Sequence, residues 1–445
     1  MKKLIYTLFA TVFLITSVSA QRVLTLDECI QIALDNNLDI KRARNEAVSA
    51  RAGYTRSKFD FLPDLSAGAS HRWSEGLSFD QTSGTRVNTT TLGGGASIGA
   101  SVTIFSGFSK NLELSRSKLL LEANEQTIES NIQSIEGNVV GAFLQVVSTQ
   151  ENLKIAEQTF GLLKEQLDRE EKREKAGVGD MERVYNFRSQ VAQQNLRIVE
   201  LTNQLKSSEL VLVQLLLLDP TEDFNFQGVS IEDAELEAQI ADFSEVSEKS
   251  LAHSPAIKAS VLNLEATKKS YKMAQYAWMP RLSASASYGS NWSSNLRNQD
   301  GSVVDISSQL ENNINKGAGL NLSIPLFTNF QNRTRVQQTK IQVLNSEIGL
   351  QQEKNNLTNQ VQRAYLDLVN AKTSYAAAKE SLVNLQMAFE FAKSRYENGT
   401  IDFVTYLTSL NGKNTGELQL VQAKYTILFR QLILDIYTGE LNNQN

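Results

Sequence analysis

The sequence predicts a mainly α-helical fold built from a duplicated unit, with two long helical hairpins and four β-strands per protomer. Three observations lead there: the chain repeats itself, its long proline-free stretches carry heptads, and four short stretches alternate with a period of two. Thr25-Leu-Asp-Glu28 recurs as Asp242-Phe-Ser-Glu245, Leu38-Asp-Ile40 as Pro255-Ala-Ile257, and Phe61-Leu-Pro-Asp-Leu-Ser-Ala67 as Trp278-Met-Pro-Arg-Leu-Ser-Ala284, all at one common offset. Further along, Ile104-Phe-Ser-Gly-Phe108 pairs with Leu326-Phe-Thr-Asn-Phe330, Ala142-Phe-Leu-Gln-Val-Val147 with Ala364-Tyr-Leu-Asp-Leu-Val369, and Gly177 with Gly399, now at a second, slightly longer offset. A chain written twice builds two similar units that pack as one pseudo-symmetric object.

In chain order, residues 1–20 have the form of a secretory signal. Lys2 and Lys3 precede the apolar run Leu4 to Ile15, and Val18-Ser19-Ala20 supplies small residues for cleavage. The apolar run is shorter than the ~20 residues of a spanning helix. Cys29 is the only cysteine, has no partner for an internal disulfide and is expected to be a buried thiol. Without Lys2 and Lys3 the formal charge moves from −5 to −7, which argues against a nucleic-acid partner. No later stretch has the continuous apolar run of a membrane helix. Export then leaves the periplasm, the outer membrane or the outside of the cell.

The first repeat is expected over 21–218: a short helix opened by a Thr25/Glu28 capping box, a β-hairpin over about 64–106 and a long helical hairpin over about 107–218. A polar, acidic linker with little core of its own follows at 219–242. The second repeat, 243–439, opens on an approximate Asp242/Glu245 box and has its β-hairpin at about 281–328 and its helical hairpin at about 329–439; 440–445 form a tail. The long helices rest on heptads. Val139, Ala142, Val146, Thr149, Leu153, Ala156, Phe160, Leu163 and Leu167 alternate spacings of three and four, and each has a counterpart at the second offset, from Val361 to Phe389. A first helix from about 108 to 174 is on the order of 100 Å long. A coiled-coil fibre has such lengths too, but the small residues in this seam suit close packing of many helices.

The strands alternate. Leu65, Ala67, Ala69, His71 and Trp73 stand against Ser66, Gly68, Ser70 and Arg72; Ala96, Ile98, Ala100, Val102 and Ile104 stand against Ser97, Gly99, Ser101 and Thr103. Leu282 to Tyr288 and Ala318 to Ile324 repeat the pattern. Alternation fits a half-buried soluble sheet as well as it fits membrane strands. Two features decide for the membrane: aromatic residues at strand ends, and the mostly polar stretches Glu75 to Thr91 and Asn295 to Lys316, which are expected as long outer loops. Phe61, Trp73, Phe105, Trp278, Trp292 and Phe327 lie at or beside strand ends, as interface girdles do. From Phe61 to Trp73 is ~40 Å of strand, or ~28 Å of depth at the usual tilt. Four strands cannot close, and open edges do not survive in lipid. Three copies give twelve strands, the smallest closure that leaves a lumen.

Together these features resemble the TolC-like outer membrane efflux proteins over essentially the whole mature chain. The marks are the Asn37-Leu38 and Ser254-Pro255 turns, Leu62-Pro63 and Met279-Pro280 before the strands, the two Phe-x-x-Phe exits, and the tip Arg395-Tyr-Glu-Asn-Gly-Thr400. The resemblance implies a homotrimer with a 12-stranded outer-membrane barrel and a helical barrel across the periplasm. It also implies a role as exit duct for a periplasmic adaptor (membrane fusion protein) and an inner-membrane transporter. Hairpin tips close the inner end in that family. Tyr396 and Gly399 match it, whereas its arginine and two acidic places after the glycine are Ile401, Thr405 and Thr408 here, and the acidic place of the first tip is Arg183. Asp180 and Asp402 are equivalent by the repeat and offer six carboxylates in a trimer. Catalysis, metals and cofactors are not expected: His71 and His253 are the only histidines, and Gly93-Gly-Gly95 precedes a strand and so makes no phosphate cradle. The charge run Arg169 to Lys175 reads as the solvated end of a helix, with a docking surface for an adaptor as the alternative. The competing readings are a soluble periplasmic adaptor or scaffold without a pore and, more remotely, a secreted hydrolase.

Overall fold

The computed structural model describes residues 22–80, 84–228, 236 and 240–440. The signal segment at 1–20 and all but the first residue of the 440–445 tail lie outside the described residues. The elements run β1 (Arg22–Leu24), α1 (Leu26–Asn36), α2 (Leu38–Phe59), β2 (Asp64–Asp80), β3 (Thr85–Ser106), α3 (Ser109–Lys175), α4 (Met181–Leu215), β4 (Phe224–Phe226), α5 (Phe243–His253), α6 (Pro255–Gln275), β5 (Arg281–Ser293), α7 (Ile306–Asn312), β6 (Asn315–Ser323), α8 (Gln331–Glu397) and α9 (Phe403–Thr438). The long helices α3 and α8 have 67 residues each, and their first residues, Ser109 and Gln331, are equivalent by the second offset of the repeat. Two compact units emerge, one from Met1–Arg42, Ile128–Pro255 and Lys354–Asn445, the other from Ala43–Thr127 and Ala256–Glu353. Each unit draws on both repeats.

The first unit is helical. Its core joins Cys29, Ile30 and Ala33 of α1 to Val139, Val140, Phe143 and Val146 of α3, Leu212 of α4, and Tyr425 and Ile436 of α9. The α3 residues continue the heptad seam. Thr25 opens α1 with the expected box: the Glu28 amide donates to Thr25 Oγ1 at 3.3 Å, and the Thr25 amide donates to Glu28 Oε2 at 2.8 Å. The second copy differs. Asp242 accepts the Ser244 amide at 3.0 Å, while Glu245 pairs with Lys249 one turn on, also at 3.0 Å. That cation takes the carboxylate that a full box would need. Cys29 is fully buried, and burial pushes its thiol pKa up to about 12, so it is an inert core thiol.

The linker corrects an expectation. Within 219–242, β4 pairs in parallel with β1, and Phe226 is buried against Phe143 with ring centroids 6.3 Å apart. Leu236 is buried too. The segment therefore adds to the helical core, because Phe-Asn-Phe alternates and turns both aromatics toward it.

The second unit holds a four-stranded antiparallel sheet of order β2-β3-β5-β6. Pairing is in register from Asp64↔Ser101 to Asp80↔Thr85 in β2–β3, and from Arg281↔Ser323 to Gly289↔Asn315 in β5–β6. Between β3 and β5 the register shifts at Ile104, so that Phe105 takes the place opposite Leu282. The bulge breaks the alternation expected to run straight to Ile104 and places Phe105 in the apolar row. β6 ends at Ser323, just before Ile324.

The polar stretch between β5 and β6 folds as α7, which the alternation did not anticipate. Beyond Gly289, β5 has no β6 beside it, and α7 covers that edge instead. Gln309 accepts the Ser293 amide at 2.8 Å and donates to the Ser293 carbonyl at 3.0 Å, while Asn313 donates to the Asn291 carbonyl at 2.8 Å. Side-chain amides thus take the ladder bonds a strand would make.

Candidate functional site

Two regions carry function-bearing geometry, one in each unit. The first is the sheet. Residues paired across strands share a face. One face carries Leu65, Ala67, Ala69 and Trp73, then Ala96, Ile98 and Ala100, then Leu282, Ala284 and Ala286, then Ala318, Leu320 and Leu322. The other carries Ser66, Gly68, Ser70, Ser97, Gly99, Ser101, Ser283, Ser285, Ser287, Gly317, Gly319 and Asn321. Leu65, Ile98, Leu320 and Leu322 are more than half exposed in the single chain, an arrangement suited to lipid on one side and water on the other. Among the described residues no helix is long and apolar enough to cross a membrane.

Of the aromatics expected at strand ends, Phe61, Trp278, Phe105, Phe327 and Trp292 lie at or beside such ends, whereas Trp73 lies within β2, which runs on to Asp80. Phe61 and Trp278 sit in equivalent turns before β2 and β5, and both are exposed. Phe105 packs edge-on to Phe108 at 5.4 Å, as Phe327 does to Phe330 at 6.3 Å. Trp73 faces out, opposite Leu92. Trp292 stacks on His71 at 5.5 Å, across the intervening Gly94. A Cβ on Gly94 would lie 2.4 Å from the Ser70 carbonyl oxygen and 2.9 Å from Trp292 Nε1, so the ring pair requires glycine there.

The second region is the pair of hairpin tips in the helical unit. Both tips have one design. Helix α3 ends with Gly177 at φ +74°, its amide bonded to the Glu174 carbonyl and that of Val178 to Arg173; α8 ends with Gly399 at φ +70°, with the same bonds to Tyr396 and Arg395. These are Schellman caps, which favour glycine at the left-handed position. An aspartate then starts each returning helix. Asp180 accepts the Glu182 amide at 2.9 Å, and Asp402 accepts the Thr405 amide at 2.8 Å. Hydrogen bonds from Thr405 hold the Asp402 pKa below the ordinary carboxylate value. Both aspartates are exposed, and so are Thr405 and Thr408, the latter bonded to the Val404 carbonyl at 2.7 Å.

Between the tips lies an aromatic cluster. Phe187, Phe389, Tyr396, Tyr406 and Leu410 are buried together, with Tyr396 stacked on Tyr406 at 4.8 Å and Phe403 edge-on to Phe187 at 4.7 Å. The guanidinium of Arg183 lies 5.9 Å from the Tyr396 ring, and the Tyr396 hydroxyl donates to Glu170 Oε1 at 3.4 Å. Burial, reinforced by the Glu170 charge, pushes the Tyr396 pKa up to about 12. Arg169 joins the hairpins from outside, 2.7 Å from Glu165 and 2.8 Å from Glu397. The sequence reading placed Tyr396, Gly399, Gly177 and Arg183 at the tips but missed Glu170, which is 3% exposed near the start of a run expected to be solvated. Nothing within that run marks the residue, because its cover comes from the other repeat.

A sheet with one apolar and one small polar face, joined in sequence to duplicated helical hairpins of this length, defines an outer-membrane channel protein. The chain belongs to the outer membrane efflux protein family, whose model matches residues 29–216 and 246–440. It is 27% identical to Protein CyaE of Bordetella pertussis over 84% of this chain and 76% of that one. It is 22% identical to outer membrane protein TolC of Salmonella enteritidis over 94% and 83%. Among solved structures, CusC aligns with a TM-score of 0.78 at 18% identity, covering 93% of this chain and 91% of its own. The OprN outer-membrane channel aligns at 0.70 and 22%, covering 93% and 89%. The protein is thus placed in the outer membrane, with a long helical part on the periplasmic side.

Proposed function

We propose that three copies of this chain close their sheets into one 12-stranded barrel, and that the trimer is the exit duct of a tripartite efflux or type I secretion system. The observation that carries this reading is the open four-stranded sheet. Its two outer edges, on β2 and β6, have no partner strand among the described residues, and lipid tolerates no such edge. Antiparallel β6 of one copy against β2 of the next closes the cylinder, with the serine-and-glycine face lining the lumen. A periplasmic adaptor and an inner-membrane transporter supply the energy and choose the cargo, since a passive lumen does neither. The hairpin tips form the inner gate. Six carboxylates from Asp180 and Asp402 gather there in a trimer, attracting cations and repelling one another.

Purified protein in planar bilayers, measured beside the mass of the detergent-solubilised oligomer, tests the duct. A conducting trimer is expected; a polypeptide that stays monomeric and soluble without detergent ends the proposal in favour of an adaptor or scaffold. For the gate, Asp180→Asn with Asp402→Asn removes the charge while keeping a good N-cap. Conductance or ion selectivity changes if these carboxylates line the constriction, and unaltered values in both remove them from it.

A further inference from the structure

Past Trp73 the β2–β3 ribbon continues with no third strand beside it among the described residues, its last neighbour being Asn295, which donates to Thr91 Oγ1 at 2.6 Å. β5 stops at Ser293, opposite Gly93, while β2–β3 pairing runs on from Ser74↔Thr91 to Asp80↔Thr85. On this extension the row that contains Leu65 and Trp73 goes on through Glu75, Leu77 and Phe79, with Thr90, Asn88 and Arg86 opposite them. Leu77 is 76% and Phe79 is 62% exposed. A two-stranded ribbon in water is marginally stable and gains nothing from bare leucine and phenylalanine on one face. Phe79 lies well beyond Trp73, ~20 Å along the strand and ~14 Å along the membrane normal at the usual tilt. That height clears the hydrocarbon and the ~5–7 Å that an ordinary phospholipid headgroup layer adds, so only a taller headgroup reaches Phe79.

We propose that the Leu77, Phe79 and Arg86 face of this ribbon docks on anionic, sugar-bearing lipid headgroups. The occupant follows from two features. The row is continuous with the lipid-facing row of the same strand, so whatever covers the lower part reaches the upper part. Its far end sets a cation directly across from an aromatic ring, Arg86 opposite Phe79. Guanidinium groups fork onto phosphate oxygens, and a flat ring packs on the apolar face of a sugar. The ribbon would then act as a second anchor above the aromatic girdle, whatever the number of copies in the assembly.

Hydrogen exchange of residues 73–80 and 85–91 tests the proposal, with full-length protein in lipid nanodiscs. One set of discs contains rough-type lipopolysaccharide, a second phosphatidylglycerol, a third phosphatidylcholine. Exchange about tenfold slower in the lipopolysaccharide discs than in both others is expected. Phe79→Ser with Arg86→Glu should abolish that difference while bilayer conductance stays intact. Equal exchange in all three discs overturns the proposal, as does protection that persists in detergent, which would assign the ribbon to a second copy of the chain. Protection by phosphatidylglycerol alone overturns the sugar requirement. Should the double variant fail to insert, the comparison among discs with the unmodified protein still decides.

Discussion

Glu136 is the residue whose chemistry most conflicts with its place. It lies on α3, is 5% exposed, and burial with help from Glu129 raises its pKa from the ordinary 4.5 to about 7. The folded state therefore holds this proton between pH 4.5 and 7 while the unfolded chain releases it. The contribution of Glu136 to stability is fullest below pH 4.5, declines as pH rises through that window, and stays reduced above it. Glu136→Gln should flatten this decline and raise stability at pH 8 by about 3 kcal/mol, read from thermal melts in detergent across pH 4 to 8. Glu170 has a different remedy, the Tyr396 hydroxyl. Tyr396→Phe removes the donor and leaves a buried carboxylate less satisfied, at a cost of about 1–3 kcal/mol in the same melts. Gly94→Val should be worse tolerated. Its side chain meets the Ser70 backbone and the Trp292 ring, neither of which can move far, and the expected result is failure to fold in lipid as measured by heat-modifiable gel mobility. The parts played by Glu136, Glu170 and Gly94 were not legible in the sequence. Glu170 and Gly94 depend on partners from other helices or strands, and Glu136 on burial that packing imposes, whereas Cys29 could be read as a core thiol because the chain has no second cysteine to pair with it.

At the scale of elements the sequence was most informative where local chemistry sets the structure. The hairpin turns need a left-handed residue and then an N-cap, and Gly177/Asp180 and Gly399/Asp402 supply both. Asp402→Ala should speed amide exchange in the first turn of α9, while Asp402→Asn should leave it nearly unchanged. The heptads marked α3 and α8 closely, since a seam repeated over many positions averages out local exceptions. The elements that escaped were short or long-range. β4 is too short to show a period, and α7 forms where β6 stops and leaves an edge of β5 uncovered. The bulge at Ile104 depends on the register with β5, which follows only after α3, α4, β4, α5 and α6, so no local window contains both strands.

At the scale of the molecule the two repeats are not two domains. The main helical core takes Cys29, Val139 and Leu212 from the first repeat and Tyr425 and Ile436 from the second. Residues 21–218 alone should therefore show no cooperative thermal transition by circular dichroism, although they hold a complete copy of the pattern; a sharp melt would mean that a single repeat can close its own core. The sheet gives the same lesson, since β3 of the first copy pairs with β5 of the second. By itself the sequence determined the duplication, the long helices, the tip turns and the alternating strands, because each follows from spacing along the chain and from the preferences of glycine, proline and aspartate. Only the tertiary structure decided which repeat supplies each neighbour. It buried Glu170 under Tyr396, laid α7 along an open strand edge and paired His71 with Trp292 over Gly94. Those contacts join residues brought together by packing, and packing energy depends on neighbours in space.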